Sequence, residues 1–591
     1  MNLKSQAHFD LRWYKHLREV KTKIHFDEKM EGYLTYNGEA VSLSIVVHVE
    51  VHQQDDVFEG ELFGKIDCRA LSPQSLNIQD SCFRLFEADH SEPNLMTMTY
   101  DFVAVSISGQ KFVITGRKHF DPSLAFSVAE LWKAATTLIV AVKLEDGSPL
   151  ASGKVNISLL SFISQLQSMT VSGGSALEEY KIFTRFLCLF TRKLLRVFFA
   201  PLAPLQYPED ADAACGGSVD CKPDPTLLKK IMASDGTQST LRMWAPSHSR
   251  LSALPIRDVL FIPGAAVTYQ IFASPWIAEN IIERFVREGY RCRCLTTRLG
   301  KENLDDTESG WTAYDARLDI AAALFEVETW HRQSQSQTHT SPYVIAHCLG
   351  SLALASALLD GTVLNTSIAG LTASQIFLHP TLMPLNHWKA RLRLNNFYRL
   401  LAGNWFSCTI TRTADPIQRA LDVILRFYPQ TVKRELCDSV VCHRCNLVFG
   451  RLWNHANLNA ATHTNLHAVF GGVHTRCVQH LTTSGQQRAV LDNDCRSLVT
   501  DENLRRLRGI PMLIFGVADN NVYSPESLRE TCRVLEQRGE AVRMKVFEGL
   551  GHLDCFMSER AASERSVYDT VVEEVRRVMR EQDDSHGRPC A

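Results

Sequence analysis

Apolar and polar positions alternate through most of the first 160 residues. In VSLSIVVHVEV the apolar side chains fall at Val41, Leu43, Ile45, Val47, Val49 and Val51. A period of two puts them on one face of a strand and the polar residues on the other. MTMTYDFVAVSI and KFVITGRKHF flank Ser108-Gly109-Gln110, which predicts a hairpin with glycine supplying the turn. ELFGKIDCRAL and TTLIVAVKL continue the alternation. The expectation is a β-rich N-terminal domain over 1–165, built as a sandwich or strand-rich layer.

The period then changes. ALEEYKIFTRFLCLFTRKLLRVFFA, residues 176–200, is apolar with Arg185, Arg192, Lys193 and Arg196 interspersed, and Pro201 ends it. A basic amphipathic helix of this kind either lies on a membrane surface or packs against the next domain, and packing is the favoured reading. Residues 205–224 carry Pro, Gly, Asp and two cysteines and read as a linker, so 166–240 is a helix-and-linker region.

From about 255 the pattern is strand–helix–strand. RDVLFIPG, RCRCLTTR, SPYVIAHC, PMLIFGVAD and VRMKVFEGLGH read as strands. IAENIIERFVREGY, YDARLDIAAALFEVETWH, LGSLALASALL and the stretch 525–538 read as helices. Such alternation predicts a parallel sheet covered by helices. The expected architecture is an α/β-hydrolase fold over 241–582, with a helical cap inserted at about 380–485.

Length and composition narrow this picture. At 591 residues the chain exceeds what one core supports, so at least two domains are expected. The formal net charge of -2 argues against nucleic acid as a partner. The start, MNLKSQAHFDLRWYKHL, has no apolar leader core, and no window is apolar enough to span a membrane. The 17 cysteines are then read as mostly reduced thiols in a cytoplasmic protein.

One of these cysteines stands where chemistry is expected. Ala346-His347-Cys348-Leu349-Gly350-Ser351 ends a strand and opens a helix, the setting of a nucleophile elbow. Small residues two positions either side, Ala346 and Gly350, suit the crowded backbone there. Asp519 follows the strand PMLIFGV, and His552 follows VRMKVF in a Gly-His loop. Nucleophile, acid and histidine thus appear in the order this fold uses. In that reading His552 takes the thiol proton, Asp519 orients the imidazole, and the helix N-terminus favours the thiolate. The oxyanion donors are assigned to the N–H of Leu349 and that of Ala265 or Ala266. His347 and His463 are expected to contact substrate. An acyl-cysteine is itself a thioester, so transfer to an alcohol, amine or thiol rivals hydrolysis.

VIAHCLGS, GHLDCF and Cys442-His443…His455-x-x-Leu458-Asn459-x-x-Thr462-His463 resemble a known group. It is the α/β-hydrolase region fused behind the FAD domain of cholesterol-oxidase-like GMC (glucose–methanol–choline) oxidoreductases. FGKIDCRAL, FRLFE, MTMTYDF and ITGRKHFD resemble the β-rich segment of those fusions. The chain departs from them in having no GxGxxG after a strand, so no FAD and no oxidase activity are carried over. The resemblance implies a stand-alone hydrolase or acyltransferase for a bulky apolar ester or thioester, a terpenoid, sterol or polyketide, in secondary metabolism. A non-catalytic domain that binds a lipophilic ligand or partners a separate flavoenzyme is the alternative.

Cys437, Cys442, His443 and Cys445 lie close together, with His455 and His463 downstream, and invite a zinc reading. Their spacing matches no zinc finger, so no metal is expected and they are assigned to cap packing. Asp554 is too near His552 in sequence to face its ring, and Asp315 and Asp319 read as solvated or capping residues.

Overall fold

A computed structural model describes residues 22–54, 57–210, 224–246, 257–300, 310–333, 341–428, 433–563 and 566–585. The N-terminal leader reading and most of the proposed linker lie outside these. The chain divides into two units, one chiefly before residue 204 and one chiefly after it.

The first unit carries β1 (Lys23–Tyr36), β2 (Glu39–Gln54), β3 (Val57–Asp67), β4 (Leu76–Ala88), β5 (Met96–Val105), β6 (Lys111–Phe120), β7 (Thr137–Leu144), β8 (Pro149–Asn156) and β9 (Thr170–Ser172). Neighbours pair antiparallel in chain order from β2 to β8, and β1 pairs with both β2 and β8. The sheet therefore closes into an eight-stranded barrel, with β9 added beside β1. The period-two faces are as expected: Leu43, Ile45, Val47, Val49 and Val51 all point into the core. Closure is the difference, because a sandwich and a barrel share one alternation and only the β1–β8 pairing separates them.

The helix Ala176–Phe198 begins with a capping box between Ser175 and Glu178. It turns Phe186 into the barrel core, 5.1 Å edge-on to Phe58 and near Phe26. The apolar residues that this helix buries pack on the β-rich unit itself. Among the described residues no helix is long and apolar enough to cross a membrane.

The second unit holds β10 (Leu227–Met232), β11 (Gln238–Trp244), β12 (Asp258–Ile262), β13 (Arg291–Thr296), β14 (Tyr343–His347), β15 (Gly370–Ser374), β16 (Trp405–Ser407), β17 (Gly472–His474), β18 (Met512–Val517) and β19 (Val542–Phe547). Eight of them form one sheet in the order β10-β11-β13-β12-β14-β15-β18-β19. β11 runs antiparallel to both its neighbours, and every pairing from β13 to β19 is parallel. This is the α/β-hydrolase strand order. β12, β14 and β15 are buried at every position, which is why they read as continuous rather than alternating apolar runs. Between β15 and β18 lies the cap, comprising helices such as Pro384–Arg391, Leu394–Ala402, Val440–Phe449 and Thr475–Gln487 with the β16–β17 ribbon.

Candidate active site

Cys348 occupies the turn between β14 and the helix Leu349–Leu359, at φ 54 and ψ -119. That conformation is costly for a residue with a side chain, roughly 1–3 kcal/mol, and is held here by its surroundings. The Cys348 N–H donates to Ser374 O at 3.1 Å, and the Ser351 hydroxyl donates to Ala346 O at 2.8 Å across the turn. Of the two small residues, Gly350 proves to be a steric requirement. A Cβ on Gly350 would lie 2.5 Å from Pro263 O and 2.6 Å from Ile262 O. A Cβ on Gly264 would come within 3.3 Å of Cys348 Cβ. Gly350→Ala is therefore expected to destabilise the unit by about 1–3 kcal/mol, read as a lowered urea midpoint.

His552 is buried, at 1% exposure, and lines the same cavity as Cys348. Its Nδ1 lies 3.2 Å from the side-chain oxygen of Asn520. That Asn520 atom also accepts from the N–H groups of Val522 at 2.9 Å and Tyr523 at 3.2 Å, which identifies it as the oxygen. His552 Nδ1 therefore carries the proton, and Nε2 is left as the basic nitrogen. The Asn520 amide nitrogen donates to Gln375 Oε1 at 2.9 Å, and Gln375 Nε2 donates to His552 O at 3.1 Å. Gln375 itself sits at φ 75 just beyond β15.

Asp519, the expected orienting acid, is one residue away and accepts instead from the Asn454 amide at 3.0 Å. The physical reason is burial. Asn520 is 4% exposed and brings no charge, whereas the half-buried Asp519 keeps its carboxylate where it is partly hydrated. Asp554 is held by the Gly551 N–H and the Asn457 amide, both at 2.7 Å.

Burial also sets the titration. It pushes the Cys348 thiol up to about 12, against the lowering effect of the Leu349 N–H on the sulfur. It pulls His552 down to about 3 and takes His347 well below the usual imidazole range. The thiolate preference expected from the helix N-terminus is outweighed, and the resting pair is neutral thiol and neutral imidazole. The Leu349 N–H is thus directed at the Cys348 sulfur. Of the other two residues expected to supply oxyanion donors, Ala265 lines the cavity, whereas the Ala266 N–H is committed to Leu299 O at 2.8 Å.

The His347 ring lies against that of His552, with centroids 4.9 Å apart and the planes tilted by 57°, and its Nδ1 lies 3.0 Å from the Ser374 hydroxyl. Its Nε2 is buried with no hydrogen-bond partner among the described residues. His463 does not line the cavity; its Nε2 lies 3.2 Å from that of His455. The cavity, about 420 Å³, shares Phe449, Leu481, Val522 and Tyr523 with an open, mainly apolar cavity of about 950 Å³ under the cap. Asn520 and Gln375 were absent from the sequence reading. Asn520 had a partial signal, lying beside the residue chosen, and Gln375 had none.

No protein-family model and no curated protein matches the chain. Among solved structures, the chain is similar to a soluble variant of monoglyceride lipase from Saccharomyces cerevisiae in complex with a substrate analogue, at 12% identity. That match covers 61% of this chain and 96% of the lipase, with a TM-score of 0.37. It is also similar to DcsB in complex with its substrate analogue, at 14% identity over 59% of this chain and 98% of DcsB, TM-score 0.35. A third is the thioesterase domain from the curacin biosynthetic pathway, at 13% identity over 57% and 98%, TM-score 0.30. With TM-scores this low, the fold assignment rests on the strand order and the elbow described above.

Proposed function

We propose that the protein is a cysteine-dependent acyl-transfer enzyme, a hydrolase or acyltransferase for esters or thioesters of a bulky apolar substrate. The observation that carries this reading is Cys348 on a strained elbow, sharing a cavity with a His552 whose tautomer Asn520 fixes. Sulfur attacks the acyl carbon as the thiol proton passes to His552 Nε2. The carbonyl oxygen takes the negative charge against the N–H groups of Leu349 and Ala265. Collapse of this intermediate expels the alcohol or thiol, which leaves with the proton from Nε2, and the acyl group stays as a thioester on Cys348. Water or a second alcohol, amine or thiol then gives its proton to His552 and attacks the acyl carbon; the carbon–sulfur bond breaks, and the Cys348 sulfur takes the proton back from Nε2. The site thus uses cysteine, histidine and asparagine, a set also found on unrelated folds.

The cavities support the substrate class. The larger one is mainly apolar, and Trp388, Phe397 and Leu400 stand exposed on the cap helices that line it. The test is intact mass after incubation with p-nitrophenyl acyl esters and acyl thioesters of graded chain length. A stoichiometric acyl adduct is expected, and its decay in water or in added alcohol distinguishes hydrolysis from transfer. Absence of any adduct across the series would favour a hydrolase-like binding domain, a reading to which the raised thiol pKa lends some support.

The pH dependence is a second expectation. With His552 near 3 and Cys348 near 12, kcat/KM should be level from about pH 5 to 9, without the usual imidazole inflection near 6.5. Stability should behave differently. Between about pH 6.5 and 3 the unfolded chain holds the His552 proton and the folded chain does not, so stability is lost as pH falls through that window. Urea midpoints across that range, compared with His552→Gln, measure the effect; equal slopes for both proteins would refute it.

A further inference from the structure

We propose that Cys437, Cys442, His455 and His463 form a tetrahedral zinc site in the cap. The four side chains offer two sulfurs and two imidazole nitrogens that all lie within 4.8 Å of one another. Two of the separations are diagnostic. Cys442 Sγ is 3.7 Å from His455 Nε2, and His455 Nε2 is 3.2 Å from His463 Nε2. A tetrahedral zinc with Zn–S of about 2.3 Å and Zn–N of about 2.05 Å has edges of about 3.6 Å for S···N and about 3.3 Å for N···N. A hydrogen bond between the two imidazoles accounts for their own separation. It gives no reason for two sulfurs to gather around the same nitrogens.

The chemistry of the donor set agrees. Two thiolates and two imidazoles in a tetrahedron suit zinc, and their charge cancels that of the ion. Neutrality matters here, because Cys442, His455 and His463 are 0%, 2% and 5% exposed. Around the ligands, the Asn446 amide donates to Cys442 Sγ at 3.8 Å, and the His443 Nε2 lies 3.0 Å from Cys437 O. Outer contacts of this kind fix ligand orientation. Cys445, a free thiol on the same helix as Cys442, is hydrogen-bonded to the Cys408 side chain and stands outside the set.

Four protein ligands close the coordination sphere, so the ion would act structurally, not as a Lewis acid. Its position gives it leverage on the catalytic loop. Between Cys442 and His455 the chain passes through Leu452, whose carbonyl accepts from the Leu553 N–H at 2.7 Å. Asn454 then reaches Asp519 at 3.0 Å and, through its backbone N–H, Asp554 at 3.2 Å. Asn457 donates to Gly549 O at 2.8 Å. The metal thus cross-links both ends of the segment that clamps the loop carrying His552. The sequence pattern hid the site because the two pairs of ligands use spacings that match no finger.

The test is metal analysis of the full-length protein purified from zinc-supplemented cells, with Co²⁺ exchange as a spectroscopic readout. About one zinc per chain is expected, falling below about 0.1 in Cys442→Ser and in His463→Ala and unchanged in Cys445→Ser. Cobalt should give thiolate charge-transfer and tetrahedral d–d bands in the parent protein and in Cys445→Ser, and not in the two ligand variants. Should the ligand variants fail to fold, the parent's metal content and cobalt spectrum decide the matter without them. Metal-free parent protein with no cobalt bands, or full occupancy in soluble ligand variants, would overturn the site.

Discussion

Cys348→Ala will fold and will form no acyl adduct, with turnover of ester and thioester probes falling by about 10⁴-fold or more. The size of the effect follows from covalent catalysis: without sulfur, no residue in the cavity replaces the acyl-enzyme. Folding should survive because the change removes only the sulfur from a half-buried position and keeps the Cβ that already fits at φ 54. Cys348→Ser is the sharper comparison. His552 is a weak base when buried and has a neutral amide beside it, so a hydroxyl should be attacked by this base poorly. The serine variant should label more slowly than the parent and hold its acyl group as an ester. Labelling of Cys348→Ala at the parent's rate, with the same mass shift, would remove the basis of the proposed reaction.

Asn520→Ala is expected to lower kcat by about 10²–10⁴-fold, while Asp519→Asn should change it by no more than a few-fold. Asn520 fixes the tautomer that leaves Nε2 able to accept the thiol proton, and it is itself fixed by Gln375 and by two backbone N–H groups. Asp519 has no bond to the imidazole and is engaged by Asn454. Asn520→Asp distinguishes orientation from charge. A carboxylate at Nδ1 keeps the tautomer and favours imidazolium, so activity should partly return with an acid limb at higher pH than in the parent. A pH profile for each variant, with kcat and KM separated, reads this directly. Loss of activity in Asp519→Asn with Asn520→Ala unaffected would reverse the assignment.

Much of this was legible in the chain. The period-two runs before residue 160 identified strands with one buried face, and the later strand–helix rhythm predicted the parallel sheet that carries the site. The turn that carries Cys348 could be read because an elbow needs a strand, a sharp turn and small neighbours, all of which are local in sequence. The place of His552 beside the same cavity could be read for a similar reason, as a histidine in a glycine turn after a strand. Local patterns encode which face is buried and where the chain turns, and that is what these residues required.

What the sequence left open depended on long-range pairing. β1 meets β8 across more than a hundred residues, so closure into a barrel had no local signature. The helix Ala176–Phe198 advertised an apolar face, and only the barrel core showed what that face covers. Asp519 and Asn520 are adjacent in one loop, and only the fold shows that the second is the one buried beside His552 Nδ1, with Gln375 behind it. The four cap ligands lie on separate elements whose meeting no spacing rule foretold. Periodicity fixes faces because side chains repeat with the backbone; the choice of partner is made by packing, after the chain has brought distant faces together.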